Sequence, residues 1–192
     1  MPARIAPLVT LARAPLAQLL HDLRALDDLR RHAATVGDRL EGFVAPVDRL
    51  VRRLALPRRG YARTLVYRND AFELLLLAWA PGSRAPIHDH ASQDCWFVPL
   101  AGAFDVDDFA LAAIDHRRAW LTPLRSRRVG EGEVDRKDEL EPLHAVTPAT
   151  PLALSLHVYA RPIDRCRIFQ LAKGNWWWRQ LDYDRVATEL GE

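Results

Sequence analysis

From Gly60 onward the chain loses helical periodicity and breaks into short runs rich in β-branched, aromatic and aliphatic residues. Runs 62–68, 72–79, 94–100, 104–114, 117–121, 152–159 and 166–171 are separated by turn clusters at Asn69-Asp70, Pro81-Gly82-Ser83, Ala101-Gly102 and Thr147 to Pro151. Many short strands at near-regular spacing restrict the chain to an antiparallel barrel or sandwich. Residues 1–57 read instead as helices. Pro15 sits where a first-turn proline is tolerated, and Leu16, Leu19, Leu20, Leu23, Leu26 and Leu29 follow at helical spacing. A second short helix is predicted over 38–44. A third opens at Pro46 with Val47, Leu50, Val51 and Leu54 on one stripe, and Pro57 closes it. The stretch GEGEVDRKDELEP, 130–142, is polar and reads as a surface loop. At 192 residues the chain can enclose one core but not two. The expectation is a mainly β single domain over 1–192, with a small antiparallel β-barrel or jelly roll at 60–185 under an N-terminal helical cap.

Charge narrows the partners. With 27 basic and 25 acidic residues the net charge is +2, which gives no overall drive toward nucleic acid or a membrane surface. The longest apolar stretch, Phe72 to Ala80, is interrupted by Glu73 and falls short of the ~20 residues of a membrane span. Arg4, Arg13 and interior prolines spoil any signal-peptide pattern near the start. Two cysteines do not make a disulfide framework, so a cytoplasmic setting is expected. No Rossmann or Walker fingerprint is present.

The stretch Pro81 to Cys95 (PGSRAPIHDHASQDC) carries the most chemistry. In a strand, residues two apart project to one face, so His88 and His90 point together and Asp89 points away. Two imidazoles on one face are a ready pair of metal ligands. The bland alternative is a polar strand edge whose histidines are hydrogen-bonded and hold nothing. The flanking spacing argues against it. Gly82 precedes His88 by six positions and Gly102 follows Cys95 by seven. Gly-x5-His-x-His-x4-(ligand)-x6-Gly resembles the first motif of the cupin barrels. Cupins usually carry glutamate where this chain has Cys95. A metal held by three neutral imidazoles would keep its full charge and an open face, which suits a ferrous ion taking an anionic soft ligand such as a thiolate. Pro142-Leu143-His144 supplies the third imidazole, although the second cupin motif is degenerate there.

Several separated landmarks together resemble the cysteine dioxygenase family. Gly60 to Val66 is similar to the family's Tyr-x-Arg strand, through Tyr61 and Arg63. Trp79 stands before the cupin motif, and His88, His90 and Cys95 follow at family spacing. Ser155-Leu156-His157-Val158-Tyr159 resembles the Ser-x-His-x-Tyr strand, continued by Pro162 to Cys166. The resemblance implies that His88, His90 and His144 bind iron, Fe(2+), and that L-cysteine binds through thiolate and amine. Both atoms of dioxygen then end on sulfur, giving cysteine sulfinate. Sulfur supplies all four electrons, so no reductant or second cofactor is needed. The resemblance gives Arg63 the substrate carboxylate, which a guanidinium fork matches; otherwise Arg63 is one more surface ion pair. Arginine here marks relatives that oxidise cysteine, whereas glutamine marks those acting on 3-mercaptopropionate. Ser155, His157 and Tyr159 alternate and face one side, with Tyr159 near oxygen or the carboxylate and Tyr61 beside Arg63. Cys95 and Tyr159 match the family's thioether pair; alternatively Cys95 is a small buried apolar residue. The family is usually monomeric.

Two other classes stay open. One is a non-catalytic cupin that senses a metal or thiol, although the N-terminal helices lack a basic recognition face. The other is a cupin isomerase or decarboxylase using zinc or manganese, which leaves Arg63 and Tyr159 without a role. Trp176-Trp177-Trp178 is expected to pack on the barrel wall or cover its edge, and Cys166 to be structural. His21, His32 and His116 are expected on the surface. The arginine clusters at 52–53, 58–59 and 125–128 are read as solvated faces.

Overall fold

In a computed structural model of the protein, residues 13–43, 47, 50, 54, 56–138 and 143–187 are described. Two helices, α1 (Arg13–Arg24) and α2 (Ala33–Glu41), precede the strands. These are β1 (Tyr61–Arg68), β2 (Glu73–Trp79), β3 (Ala85–His88), β4 (Cys95–Ala101), β5 (Phe104–Ile114) and β6 (Ala119–Val129). They are followed by β7 (Asp135–Lys137), β8 (Leu143–Pro148), β9 (Ala153–Tyr159), β10 (Arg165–Gln170), β11 (Asn175–Gln180) and β12 (Arg185–Val186). Two six-stranded sheets form, ordered β12-β1-β2-β9-β4-β7 and β11-β10-β3-β8-β5-β6. Of the strand pairs, β1 with β12 is parallel and the others are antiparallel. The chain is mainly β, with a helical cap, as expected.

The leucine run of β2 shows no polar alternation because both its faces are covered. Leu74, Leu76 and Ala78 turn outward and join Leu19, Leu20, Leu23 and Leu40 of the helices. Leu75, Leu77 and Trp79 turn inward, against Phe104, Val106 and Val146 of the opposite sheet. β4 and β9 are buried along their whole length for the same reason. Leu23 and Leu40 are fully enclosed, and truncating either to alanine costs about 2–5 kcal/mol. The cap is therefore the second wall of the first sheet.

Gly102, in the turn between β4 and β5, has φ +73°. A Cβ there would lie 2.0 Å from Thr150 Oγ1 and 2.3 Å from the Leu152 carbonyl oxygen. The last glycine of the motif thus meets both a left-handed backbone and a close approach of the β8–β9 turn.

Some boundaries differ from expectation. The second helix occupies Ala33–Glu41 rather than 38–44. His32 at its N-cap makes no side-chain capping bond, so the sequence carries no start signal there. The expected third helix falls largely outside the described residues; Val47 and Leu50 are helical, and Leu50 and Leu54 are buried. The stretch 130–142 is not wholly a surface loop, since it contains β7, whose Asp135 and Lys137 are buried. The sixth strand runs on to Val129, because its arginines pair with aspartates of β5 and β7.

Candidate active site

The histidine side of the site belongs to the second sheet. His88 on β3 stands directly opposite His144 on β8. His90 lies just past the end of β3, so it joins them through a turn and not through strand alternation. That turn holds Ala91 and Ser92 at φ 53° and 62°, a left-handed conformation uncommon outside glycine. The Gln93 amide donates to the His90 carbonyl at 3.0 Å and closes the turn. Asp89, past the end of β3, borders the cleft and accepts the Arg167 backbone N–H at 2.7 Å, which pins the turn to β10; strand alternation does not govern its direction.

The three rings have centroid separations of 4.7, 4.9 and 5.1 Å, and one nitrogen from each lies within 4.8 Å of the others. His88 Nδ1 lies 2.8 Å from the Pro86 carbonyl oxygen. A carbonyl only accepts, so Nδ1 carries the proton and Nε2 keeps its lone pair. Burial pushes all three imidazoles below the ordinary histidine range, and for His90 and His144 the neighbouring His88 pushes further. They are therefore neutral near pH 7, the state in which imidazole binds a metal. Three neutral nitrogens on one concave wall fit a borderline divalent transition metal with positions left open.

The first sheet supplies the opposite wall. Arg63 on β1 is 6% exposed. Its Nη1 donates to the Asp182 carbonyl at 3.0 Å, and its guanidinium lies 5.3 Å from the Tyr183 ring centre. Its Nη2 is buried and has no hydrogen-bond partner among the described residues. Tyr61 packs against Trp79 with ring centroids 4.6 Å apart and planes tilted by 38°, and burial raises its phenol pKa. The Trp79 indole N–H donates to Ser155 Oγ at 2.8 Å, and Ser155 Oγ lies 2.9 Å from His157 Nε2. With Trp79 donating to it, Ser155 keeps its own hydrogen and one lone pair for Nε2, so the hydroxyl serves either tautomer of His157. Burial, with Arg63 adding to it, lowers the His157 pKa to about 3, so this ring is also neutral. It lies nearly parallel to the Tyr159 ring, 15° apart with centroids at 6.3 Å. Burial raises the Tyr159 pKa well above its ordinary value and keeps the phenol protonated.

The cleft between the sheets is lined by Tyr61, Arg63, His88, His90, His144, His157 and Tyr159. Ser155 and Cys95 are not on its surface: each stands behind a lining side chain. Cys95 faces Tyr159 across the β4–β9 register and is 1% exposed, and burial raises its thiol pKa. Cys166, expected to be structural, also borders the cleft, buried and with its thiol pushed up to about 11 by burial. Arg179 on β11 and Leu181 also line it; nothing in the sequence near the motifs marks them. Asp135 and Lys137 behind His144 were equally unmarked. His21, His32 and His116 are exposed, as expected. Trp177 and Trp178 are half exposed on the edge strand β11, while Trp176 packs inward. Arg58 and Arg59 are exposed, Arg52 and Arg53 lie outside the described residues, and Arg127 is half-buried against Asp108 and Asp135. No helix among the described residues is long and apolar enough to cross a membrane.

A family model described as cysteine dioxygenase type I matches residues 8–172. Cysteine dioxygenase type 1 of Homo sapiens is 27% identical over 165 residues, covering 84% of this chain and 80% of the human one. The Bos taurus protein of the same name is 30% identical over 118 residues, covering 60% of this chain and 58% of its own length. Solved structures overlap more loosely. A cupin superfamily protein from Desulfitobacterium hafniense has a TM-score of 0.45 at 11% identity, covering 59% of this chain and 88% of that one. KdgF from Halomonas sp. has a TM-score of 0.43 at 18% identity, covering 55% and 82%.

Proposed function

The chain belongs to the cysteine dioxygenase type I family, and on that premise we propose that it is an iron(II)-dependent dioxygenase converting L-cysteine and O2 to cysteine sulfinate. The observation that carries this proposal is one cleft that sets three neutral imidazoles opposite a buried guanidinium with an unused N–H edge. His88, His90 and His144 are the proposed iron ligands, and Arg63 the carboxylate anchor. Iron(II), when bound, supplies open positions for thiolate, amine and dioxygen and lets O2 react with a closed-shell thiol.

The chain's own residues do the rest. Arg63 Nη2 fixes the carboxylate, with Nη1 held still by the Asp182 carbonyl. Tyr61, packed on Trp79, walls the anchor. Trp79 and Ser155 hold the His157 ring in place through Nε2, so that its other edge faces the cleft. Tyr159, protonated, offers a hydroxyl hydrogen to oxygen or carboxylate. Cys95, opposite Tyr159, is the proposed thioether partner, and that bond would immobilise the phenol. Sulfur loses four electrons and O2 gains four, so the balance closes with no added reductant. Both cysteines are free, which fits a reducing cytoplasm. The near-neutral charge gives no drive toward a nucleic-acid or membrane partner, and a monomer is proposed from the family resemblance alone.

The test is metal analysis joined to product mass spectrometry under isotopically labelled O2. Cysteine should gain two labelled oxygen atoms, and 3-mercaptopropionate should be used poorly. Iron-loaded protein that consumes no oxygen with any thiol would instead favour a sensing cupin.

A further inference from the structure

Lys137 is one of only two lysines in the sequence, and it is 1% exposed. Its ammonium lies 3.0 Å from Asp108 and 3.1 Å from Asp135, both buried. Arg127 reaches the same two carboxylates, and Arg125 a third contact on Asp108 at 3.0 Å. Burying such a cluster is a poor way to gain stability, because desolvation offsets the attraction. Its position suggests another use. Asp135 presents Oδ1 to Lys137 and Arg127, while its Oδ2 faces His144 Nδ1 at 3.9 Å. That gap is too long for a hydrogen bond. Yet both atoms are buried, and neither has a hydrogen-bond partner among the described residues. Two orphaned groups, one able to donate and one able only to accept, stand face to face.

We infer that Asp135 is a positioning residue for His144. It accepts the His144 Nδ1 proton when Nε2 takes a metal, and Lys137 and Arg127 hold it in place. A metal-bound imidazole needs an acceptor for its other nitrogen, which fixes the tautomer and strengthens the donor. His88 already has one in the Pro86 carbonyl. Asp135 gives His144 an anionic one. The register supports it: β7 pairs with β4 through Phe97–Asp135 and Cys95–Lys137, and Asp108 on β5 stands opposite His144 on β8, so the cluster bridges the two sheets beside the ligand. The inference rests on the proposed metal role of His144.

Cobalt(II) is the probe, added to the metal-free full chain and to Asp135→Asn, Asp108→Asn and His144→Ala. Asp135→Asn should bind cobalt about 10–100-fold more weakly and shift its visible d–d bands. Asp108→Asn removes the same charge from the same Lys137–Arg127 cluster and should change affinity less than about threefold. The inference is overturned if Asp135→Asn matches wild type in affinity and bands, or if Asp108→Asn weakens binding equally. Should Asp135→Asn fail to fold, wild type still decides. In the cobalt protein the His144 N–H proton should exchange slowly with solvent, like that of His88, and rapid exchange overturns the inference. A wild type that binds no cobalt, or a His144→Ala chain that binds it unimpaired, strikes the metal reading itself.

Discussion

Replacing Arg63 with glutamine removes one charge from the wall facing the histidines and leaves most of the side-chain volume. The guanidinium now has one N–H edge committed to the Asp182 carbonyl and one buried edge with nothing to bind. A substrate carboxylate taking that edge makes a charge-assisted bond worth about 1.5–3 kcal/mol. At about 1.4 kcal/mol per decade, kcat/KM for cysteine should fall roughly 10- to 150-fold. The lost Asp182 bond costs a further ~1 kcal/mol of fold stability, and that loss affects every substrate alike. Oxygen uptake should therefore be compared between cysteine and cysteamine, the same aminothiol without a carboxylate. The cysteine-to-cysteamine ratio of kcat/KM isolates the carboxylate contact. A ratio within twofold of wild type in Arg63→Gln would refute the anchor, whatever happens to the absolute rates.

Gly102→Ala combines a positive φ with a 2.3 Å approach to the Leu152 carbonyl, so it should cost at least about 2 kcal/mol; an unchanged urea midpoint would contradict this. Cys95 and Tyr159 face each other across β4 and β9, so intact-mass spectra after turnover should contain a species lighter by two hydrogen atoms. That species should be missing from Cys95→Ala, and its persistence there would remove the pair from consideration. Acid sensitivity follows from the buried imidazoles. His88, His90, His144 and His157 are all held below the ordinary 6.5, His157 at about 3. The unfolded chain takes up protons below pH 6.5 that the fold refuses, so the metal-free protein is most stable above 6.5 and weakens toward pH 3. For His157, held at about 3, the cost is about 1.4 kcal/mol at one pH unit below 6.5, and the other rings add in the same direction. Urea midpoints at pH 7.5 and 5.5 that coincide would show the rings are not buried as described.

Much of the site was legible because its strands alternate. Ser155, His157 and Tyr159 announce one face of β9, and Tyr61 with Arg63 one face of β1. Strand alternation predicts His90 beside His88, whereas a left-handed turn past the end of β3 carries it there. Asp135 and Lys137 stayed hidden in a run of charges that looks like any solvated loop. Mutual neutralisation of buried charges happens between strands and has no one-dimensional pattern. Arg179 and Leu181 were hidden differently: they reach the cleft because β10 and β11 pair from Arg165–Gln180 to Gln170–Asn175, a register that no local composition reveals. The start of α2 went unread because His32 offers no cap.

The division of labour between the sheets has an evolutionary corollary. The three clustered histidines sit on β3, β8 and the turn after β3, while the residues of the proposed substrate wall sit on β1, β2 and β9. On the proposed function, substitutions along β1, β2 and β9 can retune which thiol is accepted while the histidine wall on the other sheet is kept. The two sheets meet across the barrel interior, where Trp79 and Phe97 meet Phe104 edge-on. Those three rings act as the spacer that keeps both halves of the chemistry in reach of each other.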